Sequence, residues 1–336
     1  MASSKTCTMI KNNFKDLYIL SKLGEGQMGR VFLVENRKTE QRYALKCVEK
    51  NQVIKHQMEK FLVGEKEVLD MVDHPLIVKL FETYKDSHFI YFLLNYIEGG
   101  DFFDFLADAG ECSTSLARFY IACLILCIEY LHQNNILYRD LKPENAALDA
   151  NGYLHLIDLG TAKELSPESD CGTRTFTIIG TPHYMAPEVF EAKGYSFPAD
   201  IWSLGIVLYE VVCGILPFGT YTDDPISVYK EIEKNDLKFP KNSEDEHGKE
   251  LIRRLLRRNP SQRNVEDFLD IKYMDYFKNF NWKLLETREM VAPVRPKLRE
   301  GRERGRCQYL LNYLQKEKLK MDKPIPSKDE NWDEIF

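Results

Sequence analysis

An α+β chain in two parts is what the pattern of apolar residues predicts. Period-two segments cluster between residues 17 and 94, helix-period segments dominate from Asp101 onward, and Gly99-Gly100 marks the change. A strand-rich lobe joined by a short hinge to a helical lobe, with a cleft between them, follows from that order. With 336 residues, 44% of them hydrophobic, the chain can fill one large two-lobed domain or two moderate ones.

Strands are expected at Tyr18 to Leu23 and Arg30 to Glu35, on either side of a glycine turn, then at Tyr43 to Val48, Val78 to Tyr84 and Phe89 to Leu94. One helix, Lys55 to Val72, interrupts them. After the hinge, helices are expected at Phe102–Ala107, Ser115–Asn134, Asp200–Val212, Ile226–Lys234 and Lys249–Arg257, with Pro182, Pro187, Pro217 and Pro240 in loops. Past about Asn281 the chain turns charged and proline-bearing, as a tail would.

Composition narrows the classes. The balance of 46 basic against 52 acidic side chains argues against a nucleic-acid binder. Eight cysteines without a Cys-x-x-Cys pair read as reduced thiols, so the expected compartment is cytoplasmic. The first residues lack the apolar run of a signal peptide, and Ala2 excludes N-myristoylation. Ile121 to Ile128, the most apolar stretch, is too short to span a bilayer, and no transmembrane segment is expected.

Chemistry is carried by an ordered set of motifs. Gly24-Glu25-Gly26-Gln27-Met28-Gly29-Arg30-Val31 would cover a nucleotide as a flap, with backbone N–H groups turned to phosphate oxygens. A strand follows Gly29, which separates this turn from a dinucleotide fold, where a helix would follow. Val31 would cap the adenine. Lys46 faces inward beside Ala44, and a buried ammonium needs an anion. Glu65 sits in the apolar stripe Met58, Leu62, Glu65, Leu69, Val72, so the two oddities explain each other as a pair holding the α- and β-phosphates. In Tyr138-Arg139-Asp140-Leu141-Lys142-Pro143-Glu144-Asn145, Asp140 would orient an attacking hydroxyl, Lys142 would neutralise the γ-phosphate, and Asn145 would ligate a metal. Asp158 would bridge Mg2+ to the phosphates of ATP.

These residues resemble a eukaryotic protein kinase, from about Tyr18 to the C-terminus. Lys142-Pro-Glu-Asn145 and Gly180-Thr-Pro-His-Tyr-Met-Ala-Pro-Glu188 are similar to the serine/threonine form. Tyr138, Thr175-Phe-Thr177 and an aromatic C-terminus resemble the AGC group, most of all the catalytic part of cGMP-dependent kinases, with the cAMP-dependent enzyme close behind. Asn259-Pro-Ser-Gln-Arg263, Phe280-Asn-Trp282 and Trp332-Asp-Glu-Ile-Phe336 carry that finer match.

The resemblance implies a bilobal kinase fold: an extension (1–16), a kinase domain (17–277, with N-lobe 17–94, hinge 95–99 and C-lobe 100–277) and an AGC-type tail (278–336). It implies ATP and Mg2+ as cofactors, Leu23 and Leu94 lining the nucleotide site, and Asn95 and Ile97 offering hinge backbone to adenine. Leu69, Leu80, Tyr138 and Leu159 would stack as a spine. Glu188 would pair with Arg263, Asp200 would anchor the catalytic loop, and Thr181 would steady Asp140 and Lys142. Thr177 matches an activation-loop phosphosite, argued also from Arg139, an arginine without an evident counter-ion, with Lys163 as a second contact and Thr173 and Thr175 as competitors. Asp101, Glu144 and Glu210 match positions that bind arginines upstream of the phosphoacceptor, so the expected partners are basic protein substrates. A regulatory subunit or an upstream activating kinase is a further expected partner.

The chain departs from the family in places. Leu159 replaces the usual phenylalanine, Phe61 replaces a basic residue one turn before Glu65, and Lys297 to Lys323 carries nine basic and four acidic side chains around Tyr309, Leu310, Tyr313 and Leu314. A short amphipathic helix docking on the kinase itself is expected there, with Phe336 and Trp332 filling a pocket on the small lobe. Only about sixteen residues precede the first strand, where a cGMP-dependent kinase would carry cyclic-nucleotide domains. The competing reading is a catalytically weak pseudokinase serving as a scaffold. It is disfavoured because Lys46, Asp140, Asn145 and Asp158 are all present.

Overall fold

The computed structural model describes residues 13–26, 28–110, 112–165, 173–234, 236–240, 245–263, 268–297, 308–318, 321, 323–329 and 331–336. Gln27 and much of the basic tail lie outside them. Two compact units result: residues 1–63, 80–96 and 300–336 form the first, and residues 64–79 and 97–299 the second.

In the first unit, alternation of buried and half-buried side chains builds an antiparallel sheet from β1 (Leu17–Gly26), β2 (Gly29–Asn36), β3 (Arg42–Glu49), β4 (Leu80–Lys85) and β5 (Phe89–Asn95). In β3, Tyr43, Leu45 and Cys47 are buried while Ala44 and Lys46 on the opposite face are half-buried, as the two-residue period requires. The helix expected as one piece is two: α1 (Lys50–Lys55) and α2 (Glu59–Met71). Gln57 takes φ 56°, the Met58 N–H bonds back to Val53 O at 2.9 Å, and the Gln57 N–H bonds to Ile54 O at 3.1 Å. This left-handed cap ends α1 without the glycine that normally marks it.

Gly29 shows why one glycine of the turn is compulsory. A Cβ there would lie 1.9 Å from Cys47 O and 3.1 Å from Val48 Cα, both backbone atoms of the adjacent strand. A Cβ on Gly24 or Gly26 would meet nothing within 4 Å. Gly29→Ala is therefore expected to destabilise the fold by about 1–3 kcal/mol through forced separation of β2 from β3. Gly24→Ala should leave the thermal midpoint nearly unchanged, and equal effects of the two substitutions would refute this packing argument.

The second unit is helical: α3 (Phe102–Ala109), α4 (Thr114–Gln133), two short antiparallel strand pairs, β6 (Ile136–Leu137) with β9 (Lys163–Glu164) and β7 (Ala146–Leu148) with β8 (Leu154–Leu156), then α5 (Pro187–Phe190), α6 (Pro198–Cys213), α7 (Pro225–Lys234), α8 (Glu246–Leu255), α9 (Leu269–Lys272) and α10 (Trp282–Glu286). Helices α6 and α7 start earlier than the apolar pattern suggests because Pro198 and Pro225 occupy their first turns, where a missing N–H costs nothing. Helix α8 begins at Glu246 because Asp245 Oδ1 accepts from Gly248 N at 2.8 Å. The strand expected from Val78 begins at Leu80 instead. Ile77 bridges Leu156, and the Val78 N–H bonds to Leu156 O at 2.8 Å, which draws this stretch into the second unit.

Helix α4 corrects the bilayer estimate, since counting only the continuous apolar run understated it. Its 20 residues are long and apolar enough to cross a membrane, with 72% of the most apolar window buried inside the protein. Ala117, Ile121, Leu124, Ile128 and Leu131 are all buried, as their helical spacing predicts.

The tail returns to the first unit. Strand β10 (Gln308–Tyr309) adds to β1, giving the order β10-β1-β2-β3-β5-β4, and α11 (Leu310–Lys318) sets Leu310 and Leu314 into the core with Phe32, Tyr43, Leu45 and Leu93. The docking helix expected from the sequence is thus present. At the C-terminus, the Phe336 ring meets Phe92 at 5.5 Å, and Asp333 pairs with Lys50 and with Lys85. Deleting residues 332–336 removes two aromatic rings, Trp332 buried and Phe336 half-buried, and should cost about 3–4 kcal/mol and lower the thermal midpoint. An unchanged midpoint would contradict this anchoring.

Candidate functional site

In the first unit, β3 carries the expected nucleotide-site residues on its half-buried face. Val31 stands opposite Lys46 and Ala44 opposite Leu94 in the register, and Lys46 Nζ lies 5.9 Å from the centre of the Phe92 ring. Gly26 faces Gly29 across the turn, with Leu23, Gly24 and Glu25 on the outgoing strand and Met28 O accepting from Glu49 N at 2.9 Å. Asn95 ends β5. The Arg30 guanidinium is given to Glu25, Tyr313 and Glu317, so its engagement is with protein groups.

The catalytic segment of the second unit is drawn together by its own hydrogen bonds. Asp140 Oδ1 accepts from Thr181 N and Thr181 Oγ1, each at 3.0 Å, and Oδ2 accepts from Asn145 Nδ2 at 2.9 Å and lies 3.0 Å from Lys142 Nζ. Lys142 Nζ donates to Thr181 Oγ1 at 2.6 Å, which leaves the threonine proton for Asp140. Asp140, Lys142, Asn145 and Thr181 are thus brought together, with donors facing both oxygens of the carboxylate.

Beneath it, Asp200 is fully buried and accepts from Tyr138 N and Arg139 N, both at 2.9 Å. These bonds hold Arg139 at φ 75°, a left-handed conformation costly for a side-chain-bearing residue. His132 Nε2, 2.8 Å from Asp200, completes the anchor. Sequence reasoning missed His132, which no local motif announces. Arg139 is buried, and its guanidinium donates to the backbone carbonyls Thr161 O and Ala162 O.

Asp158 is exposed and its Oδ1 accepts from Gly160 N at 2.9 Å. Glu65 is buried in α2, and a Cβ on Gly160 would lie 3.4 Å from its Oε2. Asn145 uses its amide nitrogen on Asp140, which leaves its side-chain carbonyl oxygen, like the Asp158 carboxylate, as donor chemistry. An oxygen-only pair fits Mg2+ and not a thiophilic metal. Leu69, Tyr138 and Leu159 are buried, so leucine in place of phenylalanine still fills its slot.

Thr177 is exposed, and its carbonyl accepts from Tyr195 Oη at 2.7 Å. Thr175 is fully buried and paired with Tyr195, which removes it as an accessible competitor, whereas Thr173 is exposed. Lys163 lies in β9. Ile97 opens the longer segment of the second unit, and Asp101 precedes α3 and bridges Ala147. Glu144 is exposed. Glu210 is mostly buried, and accepts from Tyr184 Oη at 2.7 Å. Burial pushes its carboxyl up to about 7, the Tyr184 hydroxyl opposes the shift, and the nearby Glu144 charge adds to it.

A loop carboxylate held by a lysine, an asparagine and a threonine, in a chain that carries a glycine hairpin earlier in its sequence, is the pattern that the kinase resemblance implies. The profile of the protein kinase domain matches residues 17–276, and the chain belongs to that family. It is 41% identical over 290 residues to a cGMP-dependent protein kinase of Eimeria tenella, covering 85% of this chain and 28% of that protein. It is 38% identical over 291 residues to a human cAMP-dependent protein kinase catalytic subunit, PRKX, covering 85% of this chain and 78% of the relative. Rat cGMP-dependent protein kinase 2 is 40% identical over 294 residues, with 85% and 37% covered. The chain spans under a third of the length of the Eimeria relative. Both kinds of relative are those that the AGC resemblance implies.

Among the described residues all five cysteines are free, and no cluster of three metal-ligating side chains occurs.

Proposed function

We propose that this chain transfers the γ-phosphoryl group of ATP to serine or threonine hydroxyls of proteins with basic residues upstream of the acceptor. The observation that carries the reading is the Asp140 carboxylate, oriented by Thr181, Asn145 and Lys142. Such a carboxylate accepts a hydrogen bond from an incoming hydroxyl and aims its oxygen at phosphorus. Lys142, close by, would meet charge developing on the phosphoryl group. The glycine hairpin and Lys46 would hold the nucleotide phosphates, with Leu23, Val31, Ala44 and Leu94 around the base and Asn95 and Ile97 offering backbone groups. Asn145 and Asp158 would hold Mg2+, which would neutralise phosphate charge when bound.

Phosphorylation of Thr177 by an upstream kinase, and control by a regulatory chain, belong to the same proposal. The exposure of Thr177 supports the first. The test is transfer of labelled phosphate from magnesium ATP to a serine peptide with upstream arginines, against the same peptide with alanines. No transfer to either peptide would sink the reading.

Glu210 supplies a pH signature. Neutral at low pH and ionised above about 7, it can pair with an arginine only when charged. The groups facing it are Tyr184, Glu144 and His183. KM for an arginine peptide is therefore expected to fall about tenfold between one unit below and one unit above that pKa, while Glu210→Gln stays high and flat. The stability sign runs the other way: a raised carboxyl pKa favours the fold at low pH, and that contribution is lost as pH rises through about 7. A wild-type KM independent of pH would remove Glu210 from recognition.

A further inference from the structure

We infer that the tail helix α11 sets the position of the glycine hairpin through Arg30, which makes Glu317 and Tyr313 positioning residues for nucleotide binding. This rests on the kinase reading above and adds control of nucleotide affinity by the chain's own C-terminal segment.

Arg30 directly follows Gly29 on the returning strand. Its Nη1 donates to Tyr313 Oη at 2.9 Å and to Glu317 Oε2 at 2.7 Å, while its Nε donates to Glu25 Oε1 at 3.1 Å. Glu25 lies on the outgoing strand between Gly24 and Gly26. One guanidinium thus ties both strands of the hairpin to the helix. Its neighbour Val31 points to the opposite face, as alternation along a strand requires, so the tie leaves the Val31 face clear.

The helix is itself well anchored. Leu310 and Leu314 are buried in the core, Tyr313 meets the Phe32 ring at 5.3 Å, and Lys318 Nζ pairs with Asp86 Oδ2 at 2.6 Å. Asp86 also accepts from Tyr91 Oη at 2.6 Å, from His88 N and from Phe89 N, so this end is pinned to the β4–β5 turn. The helix is held at the turn and along its apolar face, and it presents Tyr313 and Glu317 to a glycine-rich hairpin. Such a hairpin has unusually large backbone entropy to lose when a ligand orders it. A hairpin already restrained by Arg30 has less to lose, so nucleotide binds more tightly.

The experiment uses the full chain with Glu317→Gln, Tyr313→Phe, Arg30→Ala, and Arg30→Ala with Glu317→Gln. Two readouts are followed: hydrogen exchange of the 24–31 amides without nucleotide, and the separate KM for ATP and kcat. Glu317→Gln is expected to speed hairpin exchange and raise KM for ATP about three- to fivefold, with kcat within about twofold, the range of a half-exposed ion pair. In the Arg30→Ala background the same substitution should add nothing, whereas a general loss of stability would add in full. Unchanged hairpin exchange in Glu317→Gln, or an effect undiminished without Arg30, would overturn the inference. A wild-type chain that bound no nucleotide would sink the kinase reading instead, and the exchange measurement would still decide whether the helix restrains the hairpin.

Discussion

Asp140→Asn is expected to lower phosphoryl transfer by about two to four orders of magnitude while the chain stays folded and still binds nucleotide. The substitution keeps the side chain's size but replaces one acceptor oxygen by an NH2 group. Asp140 Oδ1 faces two donors on Thr181, and Oδ2 faces Asn145 Nδ2 and Lys142 Nζ. Whichever way the amide is set, its NH2 opposes donors, so the side chain must turn and the hydroxyl loses its acceptor. The loop itself should survive, because its backbone is held independently by Asp200 at Tyr138 N and Arg139 N. The measurement pairs peptide phosphorylation with calorimetric titration of magnesium nucleotide. A rate close to wild type would remove Asp140 from the chemistry and revive the scaffold reading.

Much of this site can be read from sequence because its residues are neighbours in the chain or sit on one regular face. Asp140, Lys142 and Asn145 lie within six positions, and Glu65 is marked by a helical stripe whose members Leu62, Leu69 and Val72 are indeed buried. What sequence did not reveal depends on contacts between distant segments. His132 reaches Asp200 across 68 positions, and Glu317 reaches Arg30 across 287. The bonds from Arg139 to Thr161 O and Ala162 O are likewise illegible, because backbone acceptors leave no trace in residue identity. The break after α1 was hidden for a related reason: Gln57 adopts a glycine conformation, and only the closing bonds from Gln57 and Met58 betray it. Glu210 could be matched to a substrate position, but its raised pKa comes mainly from burial, which a sequence does not display.

Arg263→Ala should be the most destabilising single change in the second unit, at about 3–5 kcal/mol, because it breaks a buried pair on one side only. Arg263 is fully buried, with its Nη2 on Glu188 Oε1, Nη1 on Arg257 O and on Arg258 O at 3.0 Å, and Nε on Pro198 O at 3.2 Å. The guanidinium also stacks on Trp202, 5.2 Å from the ring centre. Truncation would orphan three carbonyls and leave the half-buried Glu188 carboxylate without its cation, and Glu188 Oε2 already lacks a partner among the described residues. Lysine would restore the charge but not the planar fork, so Arg263→Lys should recover only part of the loss. Glu188→Gln keeps the three carbonyl bonds and should cost less than Arg263→Ala. Urea unfolding followed by fluorescence would read these differences as shifts of the midpoint at constant slope. The ordering Ala, then Lys, then Glu188→Gln distinguishes a hydrogen-bonded fork from a simple point charge, for which lysine would be close to wild type. Arg263→Ala within about 1 kcal/mol of wild type would mean that water or neighbouring groups replace the fork, and Glu188 would then owe its position to α5 alone.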